Sequence, residues 1–294
     1  MELNEYICTL CPRECAALRS EQSGSGFCGM GTLPKVARIA PHFWEEPCIS
    51  GTKGSGTVFF SGCVLGCVFC QNDQISRKKQ GRVMTVSELT EEIKKLTAQG
   101  VHNINLVSPT PYIETIITLF SAYRPNVPVV YNTGGYEKAE SLRRLEGIVD
   151  IYLPDLKYID SEKSSRYSCA GNYAEYALPA IREMLRQTGK PQFDENGILQ
   201  KGTVVRHLIL PQNTKNSIKV LQTLKSEFGD DILVSLMAQY IPMGRASDFP
   251  EIDRRITKRE YEKVLDEYDR LGLNGFVQER SSATKDFVPD WNLL

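Results

Sequence analysis

The chain has 294 residues, 41% of them hydrophobic and 24% charged, with a formal net charge of −1. This length and composition are typical of a globular protein with one large α/β domain and a small additional segment. The low net charge leaves no broad basic face for nucleic acid, and no apolar stretch is long enough to span a membrane. The N-terminus lacks the layout of a signal peptide, so we expect a cytoplasmic protein with neither nucleic acid nor membrane as a partner.

The nine cysteines form two tight groups, with Cys48 and Cys169 apart from both. An odd number of clustered cysteines without a secretory signal favours metal ligation in a reducing compartment over disulfide bonds. We interpret Cys48 as a buried bystander.

The first group contains four thiols, in CTLCPREC and GFCGMG: Cys8, Cys11, Cys15 and Cys28. Four thiols make a closed ligand set, which predicts a structural zinc or a fully ligated iron–sulfur cluster. We favour the cluster slightly, because it could relay electrons. The alternative is a zinc ion that stabilises a segment too short to form its own core. We interpret His42, nearby, as a packing or surface residue.

From residue 57 onward, apolar runs alternate with amphipathic segments. Thr85 and Glu88 form a capping box that opens a helix, which Gly100 ends. Asn196-Gly197 predicts a tight hairpin turn. The predicted strands are 57–60, 103–107, 127–132, 148–153, 204–210, 232–237 and 275–278. The further predicted helices are 112–123, 139–145, 173–187, 217–228 and 257–271.

Six or seven strand–helix units predict a mostly parallel sheet. A doubly wound sheet is the alternative, but a barrel is favoured because the candidate polar groups follow the carboxyl ends of successive strands. We therefore predict an α/β protein with a Cys-rich metal-binding segment at 1–50 and a partial barrel at 51–294.

The second cysteine group follows the strand 57–60 directly. Cys63, Cys67 and Cys70 have the spacing C-x3-C-x2-C. Three thiolates with one open position suit an iron–sulfur cluster whose fourth iron binds a small molecule. A structural zinc loop or inert buried thiols are the alternatives, although zinc sites usually pair two C-x2-C arms across a longer gap.

This spacing, with Phe69 before the last cysteine, resembles the signature of the radical S-adenosylmethionine (radical SAM) superfamily. The CVFCQN and LPDLK stretches resemble the activating enzymes of glycyl-radical enzymes, such as pyruvate formate-lyase activating enzyme, in a branch with an N-terminal cysteine cluster. The resemblance extends from about Cys8 to Tyr240.

The resemblance implies a partial (βα)6-type barrel and a [4Fe-4S] cluster on Cys63, Cys67 and Cys70. At that cluster S-adenosylmethionine would be cleaved reductively to a 5′-deoxyadenosyl radical, which abstracts hydrogen from a substrate. It also implies a flavodoxin- or ferredoxin-like electron donor, and a glycyl-radical enzyme or another protein as substrate.

Two cofactor-binding positions depart from the activase pattern. Ser108 and Thr110 stand where relatives carry an acidic turn that meets the cofactor's amino group, and their oxygens are candidate acceptors in its place. Asn132 stands where activases often have an aspartate, and it is a candidate partner for the ribose. A proline-rich helix entry and a polar turn are the structural alternatives.

Asp155 and Lys157 match the activase Asp-Leu-Lys element, and strand alternation places both on one side, facing the barrel mouth. Lys157 is a candidate for the cofactor carboxylate and Asp155 for a ribose or amino donor, with a structural ion pair as the alternative. Arg206 lies inside an apolar run, so we expect carboxylate recognition or a buried salt bridge. We expect His207 to be structural.

Other functions remain possible on the sequence alone. A radical SAM enzyme could modify a small molecule or a protein side chain, since kinship at the level of the fold does not fix the substrate. A non-enzymatic iron–sulfur or zinc scaffold is the alternative from a different class. Reductive cleavage of the cofactor would distinguish an enzyme from a scaffold.

Overall fold

The computed structural model describes residues 6–283. The strands are β1 (Tyr6–Cys8), β2 (Ala17–Arg19), β3 (Lys35–His42), β4 (Ser55–Phe60), β5 (Arg82–Val83), β6 (Ile104–Val107), β7 (Val129–Thr133), β8 (Ile151–Pro154), β9 (Gln192–Phe193), β10 (Leu199–Leu208), β11 (Leu233–Met237) and β12 (Gly275–Val277). The helices are α1 (Pro47–Ser50), α2 (Asp73–Ser76), α3 (Val86–Ala98), α4 (Ile113–Ala122), α5 (Ala139–Arg143), α6 (Ser161–Ser168), α7 (Tyr173–Thr188), α8 (Thr214–Phe228) and α9 (Lys258–Arg270).

One large sheet organises the molecule, in the order β12-β11-β10-β8-β7-β6-β4-β3-β5. All neighbours from β4 to β12 are parallel, whereas β3 and β5 are antiparallel additions at one edge. A doubly wound sheet reverses its strand order at a switch point, whereas the parallel strands from β4 to β12 follow chain order without a reversal. The order confirms the predicted partial barrel, left open between β12 and β5.

The seven predicted strands are all present, with boundaries shifted by a few residues. The capping box of Thr85 and Glu88 opens α3 as predicted. The turn at Asn196-Gly197 joins the antiparallel pair β9 and β10. The sequence analysis missed β3 because its charged and proline residues interrupt any apolar run. It missed α6 because that helix is polar and buries few side chains, among them Tyr167.

The N-terminal segment divides into two parts. Residues 6–34 contain the β1–β2 hairpin, which forms a separate two-stranded sheet. By contrast, β3 pairs with β4, and α1 packs its buried Ile49 against the barrel strands. β3 is therefore hydrogen-bonded to the barrel sheet, and the division of the chain at residue 50 stays a prediction.

Arg13 fastens the N-terminal hairpin to the barrel. Its Nε donates to the Val64 carbonyl at 2.7 Å, and Nη2 donates to the Ser168 carbonyl at 3.4 Å. Nη1 donates to the Cys169 carbonyl. In addition, Ser141 Oγ donates to the Leu10 carbonyl at 2.7 Å. The N-terminal cysteines are thus held beside the loop that follows β4.

Buried residues define the inner faces of the helices. Leu89, Ile93 and Leu96 form the buried face of α3, and Ala177 and Ile181 are fully buried on α7. Among residues 6–283, no helix has both the length and the apolar character needed to cross a membrane.

Candidate active site

The loop after β4 carries three thiols into one cavity at the carboxyl ends of the strands. Gly62, at φ +81°, supplies the left-handed turn that ends the strand. Cys63, Cys67 and Cys70 then line a cavity of about 210 Å³. Backbone hydrogen bonds from Val68 to the Tyr167 carbonyl hold the loop against α6.

Each thiol has a hydrogen-bonding neighbour. Cys63 Sγ accepts from the Leu65 amide at 3.4 Å, Cys67 Sγ lies 3.0 Å from Ser168 Oγ, and Cys70 Sγ lies 3.3 Å from Ser76 Oγ. Hydrogen bonds to cluster sulfurs tune the reduction potential of iron–sulfur centres.

The thiols suit a metal cluster. Burial raises the pKa of Cys63 to about 12 and that of Cys70 to about 11, so a bound cation is needed to keep them as thiolates. In the described part of the chain, no three His, Cys, Asp or Glu residues are arranged to hold a single metal ion. Thiolates that bind separate irons of one cluster need not converge on one point.

Asp155 and Lys157 face the cavity as strand alternation predicts, while Leu156 between them is buried in the core. Lys157 Nζ donates to Asp155 Oδ2. Arg206 Nε donates to Asp155 Oδ1 at 2.9 Å. Burial disfavours the charged forms of both Asp155 and Lys157. The ion pairs outweigh this effect, so the pKa of Asp155 is lowered and that of Lys157 is raised.

Arg206 has three partners around its guanidinium. Besides Asp155, it donates from Nη1 to Glu45 Oε2 at 3.2 Å and from Nη2 to Asn132 Oδ1 at 2.6 Å. The buried salt bridge that the sequence left open is therefore present. Whether Arg206 or Lys157 also contacts a cofactor stays a prediction.

Most of the predicted residues meet at this cavity. Ser108, Asn132, Asp155, Lys157 and Arg206 line it together with the three cysteines. Asn72, Gln239 and Tyr240 line it as well.

Thr110 does not reach the cavity with the others. Its hydroxyl instead donates to Glu137 Oε1 at 2.6 Å, behind the cavity wall. The predicted role of Thr110 as a cofactor acceptor is therefore not supported by its position. His207 is structural as expected, with Nδ1 2.7 Å from the Leu156 carbonyl, and Cys48 is buried in α1 away from both cysteine groups.

Several residues of the cavity and two of its supports were not predicted from the sequence. Trp44, Glu45 and Glu46, which lie between β3 and α1, line the cavity. Ser76 and Ser168 contact the thiols from outside it. The EEP stretch resembles an ordinary exposed turn, and only the path of β3 reveals that it enters the barrel.

The four N-terminal cysteines also meet, around a much smaller cavity. Cys8, Cys11, Cys15 and Cys28 line a space of about 20 Å³. Burial raises the pKa of Cys11 to about 12, and that of Cys28 is raised for the same reason. The cysteines are thus gathered as the sequence predicts, while the identity of their metal stays a prediction.

The two cysteine groups share a wall. Cys63 lines the large cavity, and the next residue, Val64, lines the small one. Phe27, next to Cys28, reaches the three-cysteine loop, where a Cβ on Gly66 would lie 3.2 Å from its Cζ. Glu137 lies within the wall, where Thr110 and Thr133 both donate to its Oε1.

The model of the radical SAM superfamily matches residues 57–224, more than half of the chain. The chain belongs to the radical SAM superfamily. This family implies a [4Fe-4S] cluster and S-adenosylmethionine as cofactors, and the buried thiols of Cys63, Cys67 and Cys70 provide the required donor set.

Two curated relatives are similar over most of the chain. Uncharacterized protein MJ0674 of Methanocaldococcus jannaschii is 28% identical over 277 residues, covering 91% of this chain and 75% of the relative. A protein of Haemophilus influenzae, provisionally named a glycyl-radical enzyme activating enzyme, is 21% identical over 238 residues, covering 78% and 83%.

Solved structures of other proteins share the fold. Streptococcus suis SuiB bound to its precursor peptide SuiA matches with a TM-score of 0.51 and 15% identity, covering 74% of this chain but only 46% of SuiB. Methylornithine synthase PylB matches with a TM-score of 0.50 and 14% identity, covering 76% and 70%. At these identities the likeness establishes the partial barrel alone.

Proposed function

We propose that this radical SAM enzyme is similar in activity to the activases of glycyl-radical enzymes. When bound, the cluster and S-adenosylmethionine supply one-electron cleavage of the cofactor and a 5′-deoxyadenosyl radical for hydrogen abstraction. The observation that carries the proposal is the meeting of the three buried thiols with Asp155 and Lys157 in one cavity.

The chain's own residues have three tasks in this proposal. Cys63, Cys67 and Cys70 hold the cluster and leave one iron open. Lys157 attracts the cofactor carboxylate, and Asp155 keeps Lys157 charged and in place through their ion pair. The barrel walls exclude water from the reacting atoms.

The N-terminal cysteines hold a second metal centre in this proposal. Val64 lines the space between these cysteines, and Phe27 contacts the three-cysteine loop, which supports a short distance between such a centre and that loop. An iron–sulfur cluster there would pass electrons from a flavodoxin- or ferredoxin-like donor, and a zinc ion would only stabilise the segment. We also propose that the protein acts in the cytoplasm.

A second candidate is a radical SAM enzyme that modifies a small molecule or a protein side chain. Asn132 replaces the usual aspartate of activases and bonds to Arg206 instead. Ser108 and Thr110 replace the usual acidic turn. Ser108 and Asn132 line the part of the cavity that would face a substrate, whereas the Thr110 hydroxyl bonds to Glu137 in the cavity wall.

The test begins with iron, sulfide and zinc analysis of anaerobically purified protein, followed by assay of 5′-deoxyadenosine after dithionite reduction. Deoxyadenosine with about eight irons per chain supports two four-iron clusters, and about four irons with one zinc supports a zinc-bound N-terminal segment. Zinc alone, without deoxyadenosine after reconstitution, overturns the proposal. A glycyl-radical signal in a partner protein distinguishes an activase from the second candidate.

A further inference from the structure

The main cavity has a second end, opposite the cysteines. At the end of β3, His42 pairs with Ser55, the first residue of β4, so the chain arrives at the amino ends of the parallel strands. From there Trp44, Glu45 and Glu46 reach into the cavity. We call these three residues the cavity floor. The three-cysteine loop, by contrast, follows the carboxyl end of β4.

Glu45 is fully engaged with the barrel. Its Oε1 accepts from Asn105 Nδ2 and from Asn132 Nδ2, both at 3.1 Å, and its Oε2 accepts from Arg206 Nη1. These bonds come from three different strands, β6, β7 and β10. Glu45 therefore holds the floor in place and has little capacity left for a ligand.

Glu46 differs from its neighbour. Its side chain is only 8% exposed, and its Oε2 has no hydrogen-bond partner among residues 6–283. Burial raises the pKa of Glu46, while the nearby Arg206 guanidinium opposes this effect. A buried carboxylate oxygen without a donor is costly, so such an atom inside a cavity suggests a ligand.

The charges around the floor are unequal. Three carboxyl groups, of Glu45, Glu46 and Asp155, face two cations, Lys157 and Arg206. Lys157 is bonded to Asp155, and Arg206 is bonded to Asp155 and Glu45. Of these three carboxyl groups, Glu46 is the one without a hydrogen-bonded cation, and a positively charged ligand group would favour its ionised form.

We propose that the cavity floor binds a protonated amine of the substrate, with Glu46 as its carboxylate partner. Trp44 at the same end adds an aromatic ring of the kind that favours cationic groups. This inference rests on the proposed function, because it assigns the substrate end of the same cavity. The cofactor's own amino group belongs at the cysteine end, where the cluster would hold it.

The experiment uses the full-length protein with its clusters reconstituted anaerobically and saturated with S-adenosylmethionine. The shift in the protein's melting temperature is measured with n-butylammonium, with uncharged n-butanol and with negatively charged butyrate. We expect only the ammonium compound to stabilise the protein. Equal shifts with n-butanol overturn the proposal.

The variant Glu46→Gln keeps the shape of the side chain and removes its charge. We expect this variant to bind n-butylammonium at least about tenfold more weakly than the wild type does, with unchanged affinity for S-adenosylmethionine. The matched control is Glu91→Gln, since Glu91 lies on α3, where it pairs with the exposed Lys94. Undiminished amine binding by Glu46→Gln overturns the proposal.

A protein lysine and a free amine share this chemistry, and Nα-acetyl-lysine methylamide distinguishes them. Tighter binding of that compound than of n-butylammonium supports a protein substrate, and weaker binding supports a free amine. Deoxyadenosine formation is measured in parallel. Amine binding that depends on Glu46 but occurs without deoxyadenosine would count against the proposed function alone.

Discussion

The two cysteine groups are built from the same ligand and differ in almost everything around it. The three-cysteine loop faces a cavity of about 210 Å³ that polar and charged side chains line on several strands. The four N-terminal cysteines face about 20 Å³, bounded mostly by apolar side chains and by Arg13 and Arg19. A missing fourth thiol and a large polar cavity are features of a working site, whereas four thiols around a small space are features of a closed one.

This difference shows that the number of cysteines in a group predicts the role of its metal site less well than the surrounding residues do. Both groups have thiols whose pKa is raised by burial, so both need a cation to become thiolates. Only the three-cysteine loop lies beside a Lys, an Arg and an Asp that could position a small molecule. The comparison between the two cysteine groups can be tested by substituting one residue of each group in turn.

The largest effect is expected from Cys67→Ala. Loss of one of three ligands should abolish deoxyadenosine formation and remove the iron of the main cluster, while the N-terminal metal remains. Iron and zinc analysis with a deoxyadenosine assay provides the measurement. The control is Cys48→Ala. Cys48 is a buried cysteine that lines neither cavity, so this variant should retain cleavage of the cofactor. Cleavage by Cys67→Ala at the wild-type rate would contradict the assignment of the loop.

Cys11→Ala tests the closed side of the comparison. We expect the N-terminal metal to be lost and the melting temperature to fall by several degrees, because structural metals contribute directly to folding. The main cluster should remain and should still cleave the cofactor when dithionite supplies the electrons. Loss of all iron would show instead that the two groups load as one unit.

A smaller effect is expected from Lys157→Ala. Removal of this ammonium group should weaken binding of S-adenosylmethionine about tenfold without loss of the cluster's visible absorbance. Equilibrium titration of the reconstituted protein measures the affinity. Lys94→Ala, which removes an exposed lysine on α3, is the control. Unchanged affinity in Lys157→Ala would leave that residue with only its ion pair to Asp155.

The smallest effect concerns Glu137, in the wall between the two groups. Burial raises its pKa from 4.5 to about 7. The native state therefore binds more protons than the unfolded state between these values, and the proton-linked stability is fully present below about pH 4.5 and lost as pH rises through about 7.

Glu137→Gln should remove this dependence. From pH 6 to pH 8, its free energy of unfolding should fall by about 1 kcal/mol less than that of the wild type. Chemical denaturation at both pH values measures this, with Glu91→Gln as the exposed control. Parallel pH profiles for Glu137→Gln and the wild type would show that Glu137 does not titrate in this range.

The positions of the strands were predictable because the barrel strands are apolar runs separated by amphipathic helices. Asp155 and Lys157 were predictable for a related reason, since they follow such a run and alternate with the buried Leu156. The three cysteines were predictable from their spacing alone. In each case the information lies within a few neighbouring residues.

The cavity floor could not be predicted in this way. Glu45 contacts Asn105 and Asn132, which are 60 and 87 residues away, and Arg206, which is 161 residues away. No local pattern distinguishes it from an exposed glutamate. Thr110 shows a second limit of local patterns. It lies close to Ser108 in the chain, but its hydroxyl donates to Glu137 in the wall between the two cysteine groups and does not face the large cavity.

Arg13 has a further consequence for the order in which the molecule assembles. Its acceptor at Val64 is 51 residues downstream, and its acceptor at Ser168 is 155 residues downstream. At typical speeds of translation, the chain needs about 10 to 30 s to extend from Arg13 to Ser168. For most of that interval the four N-terminal cysteines have been synthesised, while the Ser168 acceptor of Arg13 has not. A metal bound to these cysteines before α6 is made would bind to a segment that lacks this contact.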